Sequence, residues 1–131
     1  MRTATLQTRR ATTLLCVLTA LAALAGCDEG PKKVSEFTGG DAGSGKAAID
    51  HYGCASCHTI PGIRGANGLV GPPLNQIASR VYIGGVLTNT PDNMLRWLRD
   101  PPAVDPKTAM PNVHLTESDA RDVAAYLYTL K

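Results

Sequence analysis

The sequence predicts a small, all-α domain, and three observations favour that class. The apolar residues Ala120, Val123, Ala124 and Leu127 have the i, i+3, i+4, i+7 spacing of one helical face. No segment shows the sustained alternation of apolar and polar residues that marks a strand. The 13 glycines and 9 prolines divide the chain into short segments. With one tryptophan and one phenylalanine, the core of so small a domain is thin unless a large apolar cofactor fills it.

Helical segments are predicted, in chain order, at residues 46–52, 73–80, 93–99 and from Thr116 towards the C-terminus. Asp41 or Ser44 provides an N-cap for the first helix, and Gly53 permits the turn that ends it. Thr116 is a favourable N-cap for the last helix, whose first turn carries acidic residues. Residues 101–111 are predicted as a loop because they are rich in proline.

Residues 1–26 have the pattern of a bacterial lipoprotein signal peptide. Three arginines within the first ten residues precede 16 uncharged positions, 11–26, which close with Leu-Ala-Gly before Cys27. That run is short for a membrane span, which needs about 20 apolar residues. We therefore expect cleavage before Cys27 and acylation of this cysteine, so that the protein is lipid-anchored. An uncleaved helix is the alternative.

The segment after Cys27 is charged, rich in glycine and poor in apolar residues. Residues 27–43 are therefore expected to form a flexible tether, and residues 44–131 the folded domain. Loss of the signal arginines leaves 10 Lys and Arg against 11 Asp and Glu. Nucleic acid is not an expected partner, because phosphate binding requires a strongly basic surface.

The stretch GCASCHTIPGI, residues 53–63, contains a Cys-x-x-Cys-His motif. A thioredoxin-type dithiol needs a βαβ setting, a zinc site needs four ligands, and a disulfide across so short a loop constrains the chain little. Covalent haem attachment uses this spacing because two thiols add to the two vinyl groups and the adjacent imidazole reaches the iron. We predict one haem c, bonded through Cys54 and Cys57 and ligated by His58.

Met110 is predicted as the second iron ligand. It lies 52 residues after His58 in the proline-braced segment KTAMPN. Its thioether is a soft, neutral ligand that favours ferrous iron and raises the reduction potential. Met94 and His114 are the alternatives, although a methionine within a helical apolar stripe more often fills the core.

These motifs occur in one order: CASCH, VGPPL, WLRDP, TAMP and DVAAYL. In that order the chain resembles a class I c-type cytochrome, mono-haem and His/Met-ligated, over residues 44–131. The resemblance implies a small all-α cytochrome c fold, with three to five helices around one covalently bound haem.

The resemblance also implies roles for residues around the haem. The Pro72 carbonyl would accept a hydrogen bond from the ring of His58, and Arg80 would lie near a haem propionate. Three residues would pack on the haem: Leu74, Trp97 and Leu98. No second tryptophan remains to bond a propionate, so one of three residues is expected to replace it: Thr88, Asn89 or Tyr82.

The predicted function is electron transfer by a membrane-anchored carrier that is not an enzyme. The expected site is the periplasmic side of a bacterial membrane, with Asp28 favouring the inner membrane, and the expected acceptor is a terminal haem-copper oxidase. Alternatives are an acceptor or cytochrome subunit of a periplasmic dehydrogenase and, requiring an open sixth position, a haem peroxidase or gas sensor. The segment between His58 and Pro111 is expected to frame the haem, and its five bases to steer the haem edge to an acidic patch on the partner: Arg64, Arg80, Arg96, Arg99 and Lys107.

Overall fold

A computed structural model describes residues 30–131, and the side chains from residue 34 onward. This part of the chain contains five α-helices: α1 Gly30–Thr38, α2 Ala42–His51, α3 Pro91–Arg99, α4 Pro101–Val104 and α5 Glu117–Leu127. One antiparallel hairpin pairs β1 Tyr82–Ile83 with β2 Leu87–Thr88. The all-α prediction is confirmed, because each strand is only two residues long. The predicted signal peptide and Cys27 lie outside the described residues.

Helix α2 begins earlier than the apolar pattern predicts. The Asp41 carboxylate accepts a hydrogen bond from the Ser44 backbone N–H at 2.7 Å, so this N-cap starts the helix at Ala42. Gly45 lies inside the helix, where a β-carbon would collide with the Asp122 carbonyl on α5. The glycine that weakens the helical pattern therefore allows α2 and α5 to cross closely.

The prediction of a flexible tether over 27–43 is wrong for residues 30–43, which contain α1 and the start of α2. Thr38 is only 2% exposed, and its carbonyl accepts a hydrogen bond from the Arg121 guanidinium at 3.2 Å. The Phe37 ring meets Tyr128 edge-on, with 5.3 Å between ring centroids. These contacts with α5 and its C-terminal end order a segment whose composition alone indicates a linker. Residues 27–29 lie outside the described part.

The core forms where α2 and α3 pack on α5. The predicted stripe on α5 is confirmed, since its four members are at most 4% exposed: Ala120, Val123, Ala124 and Leu127. Ile49 from α2 and Trp97 and Leu98 from α3 belong to the same buried cluster. Within residues 30–131, no helix combines the length and apolar character that crossing a membrane requires.

The connecting segments differ from the prediction in two places. Residues 73–80 contain only one 3₁₀ turn, Ile77–Ser79, rather than a longer helix. The proline-rich loop begins with the single helical turn α4, where Asp100 accepts a hydrogen bond from the Ala103 N–H at 3.3 Å. Proline is tolerated in the first turn of a helix because its missing N–H would have no intrahelical partner there.

Candidate haem site

A cavity of about 370 Å³ lies between α2, α3, α5 and the loops that connect them. Its walls include every residue predicted to bind the cofactor: Cys54, Cys57, His58, Pro72, Leu74, Arg80, Trp97, Leu98 and Met110. The volume falls within the range of about 300 to 1000 Å³ that is typical of cofactor pockets. Segments distant in sequence therefore converge on one largely apolar space.

The Cys-x-x-Cys-His motif enters this cavity from a tight turn after α2. Gly53 adopts the left-handed conformation, with φ of +72°, and a 3₁₀ turn follows at Cys54–Ser56. The His58 N–H donates to the Cys54 carbonyl at 3.0 Å, which brings the histidine back over the first cysteine. Both motif cysteines are half-buried free thiols. Burial raises the pKa of the Cys54 thiol, and the neighbouring Cys57 raises it further.

The ring of His58 is oriented by the segment that contains Pro72. The Nδ1 atom lies 2.7 Å from the Pro72 carbonyl oxygen, as the family resemblance implies. A carbonyl only accepts, so Nδ1 carries the proton and Nε2 keeps a free lone pair for a metal. A β-carbon on Gly71 would collide with the imidazole, so glycine is required for this close approach.

Met110 and the two alternative ligands occupy different surroundings. Met110 is half-buried in the loop before α5 and lines the cavity. His114 is exposed, has a φ of +58° and lines a separate groove, so the structure does not bring it to this site. Met94 reaches the cavity wall from α3, but it is 1% exposed within the core. His58 and Met110 thus lie in loops that line the cavity, and they supply an imidazole and a thioether to it, whereas Met94 is part of the packed core.

Arg80 and the polar residues near it are largely engaged with backbone. The Arg80 guanidinium lines the cavity and donates to the Pro73 carbonyl and, at 3.0 Å, to the Asn75 carbonyl. Of the three residues expected to replace a second tryptophan, only Tyr82 lines the cavity. Asn89 instead donates from its amide to the Ile77 and Arg80 carbonyls, both at 2.8 Å. That part of the expectation is wrong for Asn89, because its amide protons already have partners, and Thr88 does not line the cavity.

A second groove, of about 630 Å³, is lined by some of the predicted basic residues, which do not line the cavity. Arg96 and Arg99 line this groove together with Arg121. Glu117 accepts a hydrogen bond from Arg121 at 2.8 Å and lies 3.8 Å from Arg99, and the Arg121 guanidinium lowers the pKa of Glu117. Arg96 and Arg99 therefore line this groove rather than the cavity, and steering by the five bases stays a prediction.

Several cavity residues have no motif that marks them in the sequence. Ile60 and Ile83 line the space as ordinary apolar residues. Gly84 has a φ of +57°, and a β-carbon there would press against the Trp97 ring. The Gly84-Gly85 pair is the one available signal, because paired glycines are typical of a hairpin turn.

The family described as "Cytochrome c" matches residues 42–131, and the chain belongs to that family. Covalently bound haem c and electron transfer are the properties of the family. The geometry fits this group, because two free thiols, an oriented imidazole and a thioether line one apolar cavity.

Two curated relatives are both named cytochrome c oxidase subunit 2. The protein from Alkalihalophilus pseudofirmus is 31% identical over 100 residues, which are 76% of this chain and 28% of the relative. The protein from Bacillus sp. (strain PS3) is 34% identical over 88 residues, 64% of this chain and 25% of the relative. The chain therefore spans about a quarter of the length of these relatives.

Proposed function

We propose that this protein is a membrane-anchored mono-haem cytochrome c that carries single electrons in a respiratory chain to a terminal haem-copper oxidase. The convergence of Cys54, Cys57, His58 and Met110 on one apolar cavity carries this proposal. The two cysteines would hold one haem covalently, and His58 and Met110 would ligate its iron. When bound, the haem supplies an iron centre that accepts and releases one electron.

The protein's own groups would hold the haem iron in one coordination state. The Pro72 carbonyl fixes the tautomer and direction of the His58 ring. Met110 contributes a neutral sulfur that favours the reduced form, and the apolar wall excludes water. With His58 and Met110 both available to ligate the iron, no coordination position would be left for a substrate, which favours a carrier over a peroxidase or gas sensor.

The relatives support the choice of acceptor. Both are named as oxidase subunits, and this chain matches about a quarter of each. The second candidate is an acceptor or cytochrome subunit of a periplasmic dehydrogenase, which the same cavity would serve. Anchoring through acylated Cys27 on the periplasmic side, with Asp28 favouring the inner membrane, completes the proposal.

Two measurements, a haem extraction and an absorption spectrum, test the carrier assignment. Haem should stay with the polypeptide through acid-acetone extraction, because thioether bonds are covalent. The spectrum should be low-spin and six-coordinate in both oxidation states and unchanged by carbon monoxide. Extraction of all haem, or a carbon monoxide adduct of the wild type, contradicts the proposal.

The acceptor is tested by mixing the reduced protein with oxidase-containing membranes. Reoxidation that cyanide abolishes supports the oxidase. Cyanide-insensitive reoxidation rejects it and favours the dehydrogenase as physiological partner. The Met110→Ala variant is measured with the same membranes. Because its iron ligation is altered, its rate should differ from that of the wild type, which shows that the rate depends on the haem of the carrier.

A further inference from the structure

One short segment of the cavity wall, residues 71–75, holds the ring of His58, and we call it the proximal segment. The Pro72 carbonyl oxygen lies 2.7 Å from the Nδ1 atom of this ring. The Gly71 and Leu74 N–H groups donate, each at 2.8 Å, to the carbonyls of the two residues that flank the histidine. The two prolines between them have no N–H and add no further anchor of this kind. The position of the Pro72 carbonyl therefore depends on what else holds the proximal segment.

The Arg80 side chain supplies that further anchor. Its Nη2 atom donates one hydrogen bond to the Pro73 carbonyl and another, at 3.0 Å, to the Asn75 carbonyl. The planar guanidinium can direct two protons from one terminal nitrogen to two acceptors. One side chain thus fixes the proximal segment directly after the residue that orients His58.

The backbone of Arg80 is itself held to the core. Its N–H donates to the Ile77 carbonyl at 3.3 Å, and its carbonyl accepts from the Asn89 side-chain amide at 2.8 Å. Asn89 in turn accepts a hydrogen bond from the Tyr128 hydroxyl at 2.8 Å. Tyr128 is buried at the C-terminal end of α5. Arg80 therefore connects the packed core, through its backbone, to the proximal segment, through its guanidinium.

The guanidinium of Arg80 is directed at carbonyls rather than at an acid. Among the described residues, no carboxylate lines the cavity that Arg80 reaches. Within residues 34–131, the arginines that lie close to a carboxylate are Arg99 and Arg121 in the second groove. The geometry thus gives Arg80 a part in placing the proximal segment that does not depend on pairing its charge.

We propose that Arg80 is a positioning residue for His58. By holding two carbonyls of the proximal segment, it keeps the neighbouring Pro72 carbonyl on the imidazole ring. A hydrogen bond from Nδ1 to a carbonyl raises the basicity of an iron-bound imidazole, and a more basic ligand stabilises ferric iron. Arg80 therefore lowers the reduction potential through His58, a role distinct from pairing with a haem propionate. This inference rests on the proposed function in one respect, because His58 must ligate the iron.

Arg80→Lys separates the two roles. Lysine keeps the positive charge, but its side chain ends one atom sooner and lacks the planar group. Under positioning, the His58 Nδ1 proton of the reduced holoprotein exchanges with solvent about tenfold faster, as expected when roughly one hydrogen bond is lost. The reduction potential also rises, because the imidazole is less basic. Under pairing with a propionate, lysine preserves both values. Nitrogen-15 NMR of histidine-labelled protein and redox titration measure them.

Arg80→Met removes the charge as well. Under positioning it accelerates the exchange of the His58 proton as Arg80→Lys does. Under pairing with a propionate the exchange rate stays at the wild-type value and the potential falls, because an uncompensated negative charge stabilises ferric iron. Arg64→Lys is the matched control, since Arg64 lines neither the cavity nor the second groove, and it should leave the exchange rate within about twofold of wild type. Wild-type values in Arg80→Lys, or equal changes in Arg64→Lys, overturn the proposal.

The unmodified holoprotein gives a readout that does not require any variant to fold. Its Arg80 guanidinium protons should exchange slowly and show nuclear Overhauser contacts to protons of the proximal segment. Contacts to the propionate methylenes of the haem in their place, or guanidinium protons that exchange too fast to observe, contradict the proposal.

Failure of the proposed function has a different signature. A carbon monoxide adduct of the wild type rejects the carrier assignment. The exchange comparison still decides the role of Arg80 in that case, because it measures the hydrogen bond between His58 and Pro72 and not the sixth position of the iron.

Discussion

The imidazole of His58 meets a carbonyl that can only accept a hydrogen bond, which leaves its second nitrogen for a metal. Met110 has a less constrained setting: its backbone N–H donates to the Thr108 hydroxyl at 3.2 Å, and its position depends on the loop around it. The two proposed ligands are therefore held differently. The Pro72 carbonyl orients the ring of His58, whereas Met110 is held by the hydrogen bond that its backbone N–H donates.

Met110→Ala is expected to open the sixth position of the iron. The reduction potential should fall because a neutral sulfur ligand is lost, and carbon monoxide should bind. Redox titration and absorption spectroscopy measure both effects. Met94→Leu, a change of similar volume in the core, is the control and should leave ligation unchanged at a cost below about 1.5 kcal/mol. The reverse pattern of results would make Met94 the ligand.

Single residues also differ in how far their roles can be inferred from sequence. Cys54, Cys57 and His58 are recognisable because covalent haem attachment permits few residue types and one spacing. The contribution of Asn89 has no such pattern, since it depends on which carbonyls happen to lie within reach of its amide. The chemistry of haem attachment restricts which residues can occupy the motif, so they can be recognised in the sequence. The role of Asn89 can be recognised only once the folded backbone is known.

At the scale of secondary structure, Asn89 joins the turn Ile77–Ser79 to the C-terminal end of α5. Its amide donates to two carbonyls, and its side-chain oxygen accepts from the Tyr128 hydroxyl at 2.8 Å. Tyr128 is buried, and burial raises its pKa to about 12, so the hydroxyl remains a donor at ordinary pH.

Asn89→Ala should lower the free energy of unfolding by about 2 to 3 kcal/mol, because three hydrogen bonds are lost and a buried hydroxyl loses its acceptor. Tyr128→Phe should cost about 1 kcal/mol. Denaturant titration of the two variants and of the double variant should give non-additive losses, since the residues share one bond. Asn93→Ala is the control, because its amide makes an exposed bond to the Thr88 carbonyl. Additive losses would contradict a shared interaction.

Helices α2 and α5 are also joined by a phenol and a carboxylate. The Tyr52 hydroxyl donates to Asp119 at 2.7 Å, as does the Thr116 hydroxyl, and these bonds lower the pKa of Asp119. The bond to Asp119 raises the pKa of Tyr52. A lowered folded-state pKa gives Asp119 a contribution to stability that is present above its ordinary value of 3.8 and lost as the pH falls through the folded-state value.

Tyr52→Phe should therefore destabilise the protein most near neutral pH, and its difference from wild type should shrink as the pH falls below 3.8. Unfolding measured at several pH values checks this dependence. Tyr126→Phe is the control, because its hydroxyl donates to the Pro61 carbonyl and no carboxylate is involved. A Tyr52→Phe loss that stays constant into acid would show that Asp119 does not depend on this bond.

The helices were predictable to different extents for physical reasons. Helix α5 follows its predicted cap and stripe, because Thr116 and the apolar spacing act locally. Helix α1 was predicted as tether, because its stability comes from contacts with α5 and with Tyr128 rather than from its own composition. Local signals define α5, whereas tertiary contacts define α1.

At the scale of the whole molecule, apolar and charged surfaces are separated. The cavity is lined mainly by apolar residues, whereas Arg96, Arg99 and Arg121 lie along the second groove, where Glu117 pairs with Arg121 and lies near Arg99. The five-base pattern in the sequence does not reveal this division, because linear order does not specify which residues share a face. The proposed electron path and the main basic groove are thus different parts of the surface.

Cys27→Ala should release the protein from membranes or leave its signal peptide attached, because acylation needs the cysteine. Multiple acyl chains give stable anchoring, whereas one chain gives only marginal binding with an association constant of about 10⁴ M⁻¹. Membrane fractionation and the intact mass check this outcome. Cys16→Ala is the control, since Cys16 precedes the predicted cleavage site. A wild-type mass without added lipid would contradict the anchor.

The packing of α1 on α5 changes how often an anchored domain meets its acceptor. A flexible linker over 27–43 would give a root-mean-square reach of roughly 20 to 25 Å. With α1 folded from Gly30, residues 27–29 alone separate the proposed lipid from the domain, and three residues span at most about 10 Å. The effective concentration of an oxidase embedded within that radius rises roughly tenfold as the accessible volume shrinks. An oxidase farther away is reached only by diffusion of the whole protein in the membrane plane.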